Sequence, residues 1–563
     1  MQETSRARTE PAQREGIKET MESIVVALIL AFVFRAFVVE AFVIPTGSMA
    51  PTLYGAHGTI ICEDCGTEFA YGLRDLSDER KAMLVSKTAK AICPNCDHPN
   101  SELAINDLQR NPEAGDRILV FKWPFDLGGT MFAPARWDVV VFKDPADGTT
   151  NFIKRLIGLP NEVLTIVDGD VYTVPVGQLS ERTMAELHRL RRNKYEQRIG
   201  ASRGRLGKPA IFVHRELDQK LKIARKTAAA QQPLWFPVYN HDYPPRTLDA
   251  GQPYWRAALG KISGWDPSNR RIRFQDSDRE TDFIELGGKL IRADCAYNVH
   301  GPQPPMVSDL RVRFVLTPNT PEGVVHVRLE KHERRFWGSV YMNGAVTICD
   351  TAGVPTADTP PLCSGHIAPI PPGKSVEVSF ENVDYRLALR VAGDIVLESS
   401  SDSASPAFYG PDIEGLRGEY DLPQPPSIPQ IYGADGSFDL THLVVERDVY
   451  YYLSPGAYAL ALDWGPALGW GSIDSPMLLR EGEYFMLGDN TAASKDSRLW
   501  DTLGPHLADR GEAFQLGTVP ADQLIGKAFF VYWPSPNRIN WLEWVPVVRG
   551  GLIPNVGRMR WIR

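Results

Sequence analysis

Cysteine is scarce in this chain, seven in 563 residues, and four of the seven sit in two CxxC pairs. A fold held together by a dense disulfide framework is therefore excluded. Positive charge is also in deficit. The formal net charge is -8, against the concentrated basic patch of a nucleic-acid surface, so no nucleic-acid partner is expected. After residue 45 no second long apolar run occurs, which excludes a multi-span membrane protein. No internal repeat or extended low-complexity region is present either. What remains is an ordinary globular composition, 43% hydrophobic and 23% charged. The length exceeds one core, and two or three domains are expected.

The one long apolar run, Ser23 to Ile44, is interrupted by Arg35 and Glu40. It reads as a single membrane span, with a cleaved secretory signal and a buried core helix as the alternatives. Arg6, Arg8, Arg14 and Lys18 precede it, and after Arg35 no Lys or Arg follows until Arg74. This asymmetry predicts a cytoplasmic N-terminus, with everything after residue 45 on the outer face.

Three segments carry the chemistry. Pro45-Thr46-Gly47-Ser48-Met49-Ala50-Pro51-Thr52-Leu53 holds a serine in a rigid turn directly after the apolar run. The others are Asn151-Phe152-Ile153-Lys154-Arg155-Leu156-Ile157-Gly158-Leu159-Pro160 and Gly488-Asp489-Asn490-Thr491-Ala492-Ala493-Ser494-Lys495-Asp496-Ser497-Arg498. A serine nucleophile needs a general base, and none of the 11 histidines falls in these segments. A lysine stripped of water does the same work, because burial disfavours its charged form. Lys154, among Phe152, Ile153, Leu156 and Ile157, is the candidate. Taken singly, Ser48 reads as a turn hydroxyl and Lys154 as a lysine that snorkels outward.

Together the three segments resemble type I signal peptidase. The resemblance implies a mainly β, antiparallel catalytic fold and a Ser/Lys dyad of Ser48 and Lys154. It implies that Thr46 helps stabilise the oxyanion and that Ser494 orients the lysine. Arg155 with Asp489, and Asp496 with Arg498, are expected as structural ion pairs. Phe42, Ile44, Met49, Leu53, Phe152 and Ile153 are expected to form shallow apolar subsites, hence cleavage after Ala-x-Ala-like sites. Gly115-Asp116-Arg117, Val519-Pro520, Gly526-Lys527-Ala528 and Trp533-Pro534 correspond to further boxes of the family. The implied partners are secreted preproteins, the lipid bilayer and the secretion translocon, the implied place is the cell (inner) membrane, and no cofactor is implied for catalysis. Two departures stand out: Thr491-Ala492-Ala493 where the family often has Arg-Asp-Asn, and an insertion of nearly half the chain.

Cys62-Glu63-Asp64-Cys65 and Cys93-Pro94-Asn95-Cys96 have zinc-ribbon spacing, which predicts four thiolates around a structural Zn²⁺. Two disulfides are the alternative, and His57 or His98 are replacement ligands. Four cysteines leave no open position for a metal-bound water, which argues against a zinc hydrolase. Residues 178–233 are basic and helix-leaning, read as a solvated face with anionic lipid headgroups as the alternative partner. Alternating segments such as Arg311 to Val315 and Ser375 to Phe380 predict a β-sandwich-like domain over 234–475, with a hairpin at Asn343-Gly344. Tyr385 to Gly393 is faintly similar to a strand pair of lectin or laminin-G jelly rolls, and a glycan or protein ligand is expected for this domain. Pro411 to Pro429 reads as a linker, and Cys349 and Cys363 as a candidate bridge that leaves Cys295 over.

The expected plan is thus a cytoplasmic segment 1–22, an anchor 23–44 leading into the first catalytic strand, the serine box 45–57 and a zinc-ribbon-like insert 58–104. The catalytic domain occupies 105–177 and 476–563, split by the basic segment 178–233 and the inserted domain 234–475. Two rival readings are a self-cleaving Ser/Lys protease and a membrane-tethered binding module with a vestigial site.

Overall fold

The computed structural model describes residues 12–72, 91–100, 113–122, 133–198, 211–246, 254–257, 263–267, 270–276, 281–294, 304–418, 424–452, 469–473, 475–500, 504–508, 510, 514–535 and 555–562. Cys295 and part of the 411–429 stretch lie outside them.

Helix α1 spans Ala12–Phe37. The apolar run does not stay helical to Ile44: Val39–Val43 forms strand β1, paired antiparallel with β2 (Arg117–Phe121) from Val39↔Phe121 to Val43↔Arg117. β-Branched residues favour the extended form where a neighbouring strand offers its backbone, and Glu40 meets Lys122 across the edge at 2.9 Å. The expected span over 23–44 is therefore corrected to a helix that ends at Phe37. Among the described residues no helix is both long and apolar enough to cross a membrane.

The remaining catalytic strands are β3 (Val139–Lys143), β4 (Asn151–Gly158), β5 (Glu162–Val167), β6 (Asp170–Pro175), β7 (Met477–Leu479), β8 (Glu483–Leu487), β9 (Val519–Pro520) and β10 (Leu524–Trp533). The main sheet runs β1-β2-β10-β3-β4-β8-β9, and β6-β5-β7 continue in a smaller one. Chain order and sheet order disagree at two places: β10 lies between β2 and β3, and β8 lies beside β4. The chain leaves after β6, and on returning β7 pairs with β5 (Leu478↔Val163) and β8 with β4 (Met486↔Leu156). Strands far apart in sequence thus share one ladder, and the main sheet is complete only when both halves are present.

After β6, helix α2 (Glu181–Arg198) is basic but not merely a solvated face. Leu187 and Leu190 are buried, and Arg191 forks onto Glu483 of β8 at 2.5 and 2.7 Å. Beyond it lie two antiparallel sheets. One is built round the long strand Ser437–Arg447, flanked by Leu310–Pro318 and Ile272–Gln275; the other has Val324–Lys331 flanked by Arg334–Tyr341 and Gln430–Ala434. Their inner faces touch: a Cβ on Gly338 of one sheet would lie 2.5 Å from the Phe380 ring of the other. The alternating burial of Leu310–Pro318 follows the inward-outward pattern of its sequence.

The hairpin at Asn343-Gly344 forms, joining Arg334–Tyr341 to Ala345–Asp350, with positive φ only at Gly344 (+96°) while Asn343 accepts the Ala345 N–H through its side chain. Two other local readings change. Cys349 and Cys363 are free thiols. Cys363 is the register partner of Ile348, so it shares that residue's face while Cys349 points to the other. Within 411–429, Ile413–Gly418 is helical, with Ile413 and Leu416 buried.

Candidate active site

Thr46 is extended (φ -120°, ψ 158°) and starts the 3-10 turn Gly47–Met49. The turn is braced on both sides, by Leu53 N–H to Met49 O (2.9 Å) and by Asn490, whose backbone N–H donates to Ser48 O and whose Nδ2 donates to Gly47 O, each at 3.0 Å. Ser48 is buried at the junction of β1 and the 488–498 loop. Strand β4 brings Lys154 beneath it, in register with Val140 of β3. Lys154 Nζ donates to Ser48 Oγ at 2.7 Å and to Ile153 O at 3.0 Å, and lies 5.4 Å from the centre of the Phe152 ring. Only 5% of Lys154 is exposed. Burial lowers its pKa to about 8, partly offset by the Asp496, Asp489 and Asp144 carboxylates.

The two ion pairs frame this centre. Arg155 forks onto Asp489 at 2.6 and 2.7 Å and also donates to Trp137 O; neither side chain is exposed. Arg498 forks onto Asp496 at 2.6 and 2.8 Å, reaching Tyr452 O with its other amine, and Asp496 accepts the Gly488 N–H at 2.9 Å. Gly488 leaves no room for a side chain, since a Cβ there would meet Ser494 Oγ at 2.2 Å and Ser48 O at 2.5 Å.

Other expected residues fall less tightly. Ser494 is buried beside this point, but among the described residues its Oγ makes no hydrogen bond, to Lys154 or to any other group. Thr46 is exposed, and its side chain makes no capping bond. Phe42 and Ile153 pack with Ile44, Met49 and Leu53, of which the last three are closed core beneath the site. Phe152 lies apart, on the other face of β4 with Val140 and Phe142. Asn490, which clamps the serine turn, carried no role in the sequence reading. Its place next to Asp489 was the available signal.

The four cysteines Cys62, Cys65, Cys93 and Cys96 are buried with all sulfurs within 4.8 Å of one another. Each CxxC makes the same turn: Gly66 N–H to Cys62 O (3.0 Å) and Asp97 N–H to Cys93 O (2.9 Å), both with positive φ. Cys62 Sγ is 3.5 Å from Cys96 Sγ and Cys65 Sγ is 3.6 Å from Cys93 Sγ. These separations are too long for disulfides and close to the edge, about 3.8 Å, of a tetrahedron with Zn–S bonds of about 2.3 Å. His57 is held elsewhere, between Gly55 O (2.8 Å) and Glu113 (3.6 Å), and His98 stands outside the cluster.

Residues 17–214 and 467–533 match the family described as "Signal peptidase, peptidase S26". Over these segments the chain is similar to that family. The matched segments include Ser48, Lys154 and the 488–498 loop, and the stretch between them holds the two inserted sheets. Among curated relatives, a "Signal peptidase I" of Rickettsia bellii (strain OSU 85-389) is 26% identical over 166 residues, 29% of this chain and 42% of the relative. One of Pseudomonas fluorescens is 28% identical over 137 residues, 24% of this chain and 30% of the relative. The chain thus spans under half the length of these relatives. Of solved structures, a Bacillus subtilis "carbohydrate binding module CBM66" aligns with 34% of this chain and 95% of its own at 10% identity and a TM-score of 0.23. Caenorhabditis elegans galectin LEC-6 covers 26% and 91%, at 16% identity and 0.16. At such scores no fold or ligand carries over.

Proposed function

We propose that this chain is a membrane-anchored signal peptidase of the S26 type that cleaves N-terminal signal peptides from secreted preproteins by Ser/Lys acyl-enzyme catalysis. The observation that carries the reading is the 2.7 Å approach of a buried Lys154 amine to Ser48 Oγ. With its pKa lowered to about 8, Lys154 is neutral in roughly a tenth of molecules at pH 7. The neutral amine takes the Ser48 proton as Oγ attacks the scissile carbonyl. The Ser48 N–H and the Thr46 hydroxyl receive the oxyanion; such a donor is worth about a hundredfold or more in rate. The lysine then protonates the leaving amine, and a water it activates hydrolyses the ester. In this scheme Ser494, with its unspent hydroxyl beside Gly488, orients the amine. Phe42 and Ile153, half-buried over a closed apolar floor, favour small side chains at the cleavage site, hence Ala-x-Ala-like sequences.

Helix α1 is the proposed anchor. Ile24, Leu28 and Phe32 are each about half or more exposed, and the apolar side chains described between Met21 and Val33 are all exposed, which suits lipid. The N-terminus then faces the cytoplasm and the catalytic sheet the outer side, beside the secretion translocon. A structural Zn²⁺ in the four-cysteine cluster completes the reading; it takes no part in the chemistry. The inserted domain's own ligand, a glycan or a protein, is supported by a cleft of about 760 Å³ lined by Asp276, Glu322, Tyr341, Asn343 and Asp435, among others.

The decisive experiment incubates a model preprotein with the purified chain and sequences the product's N-terminus. Wild type is expected to release the mature protein after an Ala-x-Ala-like site. Ser48→Ala and Lys154→Ala are expected to fold and leave the substrate uncut. Normal cleavage by either variant rejects the dyad.

A further inference from the structure

The first cysteine knuckle follows the serine turn in the chain, and both knuckles are bonded to the inserted sheets. On the catalytic side the hairpin of His57–Ile61 and Glu68–Gly72 follows the serine turn in the chain and is tied to the stretch that leads into β2. His57 and Glu113 exchange backbone hydrogen bonds (2.8 and 3.2 Å), and Tyr54 exchanges two with Asp116 (2.8 and 2.9 Å). On the other side the knuckles pack into the same apolar core as Tyr239, Tyr254 and Trp255 of the insertion.

Polar contacts from the insertion engage both knuckles. Lys289 Nζ spends its three N–H groups on Pro94 O (2.8 Å), Asn95 O (3.1 Å) and Asp97 Oδ1 (3.0 Å). Tyr254 OH donates to Cys96 O at 2.9 Å. Asn95 donates to Tyr243 O (2.7 Å) and accepts the Asn240 N–H (2.6 Å), and Asp64 of the first knuckle accepts the Arg246 N–H (3.1 Å). These bonds depend on the knuckle turns, which bring the carbonyls of 94–96 out together.

The knuckles have little to hold them in shape otherwise. Each rests on a two-stranded ribbon, His57–Ile61 with Glu68–Gly72 and Ala91–Ile92 with Pro99–Asn100, and such ribbons are marginal alone. Four thiolates around Zn²⁺ would lock them and carry a net charge of about -2. Lys289, 6% exposed, supplies a buried cation beside that charge.

We propose that the four-cysteine cluster is a metal-dependent joint which fixes the inserted sheets against the serine turn, so that metal occupancy controls the docking of the insertion. This rests on the zinc reading above. The test uses the full-length chain in detergent, with metal content measured and backbone hydrogen exchange followed at 236–246 and 254–257. The expected result is a single zinc ion per chain and, after chelation, exchange about tenfold or more faster in those segments. Lys289→Met is expected to keep its zinc yet show the same faster exchange, which separates the joint from metal binding and avoids the risk that a cysteine variant fails to fold. Unchanged exchange in both the chelated protein and Lys289→Met overturns the joint while leaving the zinc reading intact. No bound metal with four titratable thiols overturns both.

Discussion

The proposed role of Lys154 as a base depends on surroundings that keep it dry. Its pKa is lowered to about 8, with burial as the main cause, so the neutral fraction climbs as pH rises through that value. kcat/KM for preprotein cleavage is therefore expected to rise from pH 6 and level off above about 8. Lys154→Arg keeps a cation there but cannot lose its proton, and is expected to be inactive across the range. A flat profile between pH 6 and 9 for the wild type would reject lysine as the titrating base. The identities of Ser48 and Lys154 are readable as local strings, since each sits in a short motif. The Asn490 clamp is not, because its bonds to Gly47 and Ser48 join residues separated by more than four hundred positions.

At the level of elements, the 488–498 loop is a second wall for the serine turn, shaped by the Arg155–Asp489 and Arg498–Asp496 forks. Arg155 and Asp489 have no side-chain exposure. Arg155→Ala leaves a carboxylate buried without its partner and is expected to cost about 3–5 kcal/mol, read as a lower denaturation midpoint with an unchanged slope. A loss under 1 kcal/mol would show that water replaces the guanidinium. Gly488→Ala is expected to abolish cleavage with a smaller loss of stability, because the added Cβ collides with Ser494 Oγ and Ser48 O; cleavage within twofold of wild type would show that the loop yields. Strand β1 illustrates a limit of local reading. Its residues look like the end of an apolar helix, and only β2 alongside makes Val39–Val43 a strand.

Across the whole molecule, the insertion is fastened to the catalytic part by buried charge as well as by the cysteine knuckles. Lys331 meets Asp309 at 2.5 Å and Asp170 of β6 at 3.1 Å, and Lys226 meets Asp384 and, at 2.7 Å, Asp448. Both lysines are buried, so the pairs are sensitive to the loss of one member. Lys331→Met leaves Asp309 and Asp170 facing one another and is expected to destabilise the protein by about 3–5 kcal/mol, with β6 and the Leu310–Pro318 strand gaining hydrogen exchange together. Stability within 1 kcal/mol of wild type would mean that the aspartates take up protons instead.

The sequence by itself determined the candidate site residues, the mainly β character and the alternating strands of the insertion, because each is written in neighbouring positions: a motif, a period of two, a CxxC spacing. Only the tertiary structure decided that the helix stops at Phe37, that β8 closes on β4 across the insertion, and that Lys289 and Tyr254 grip the cysteine turns. Those outcomes depend on which backbone donors and buried charges meet after the chain has folded back on itself, and no local stretch of residues specifies such meetings.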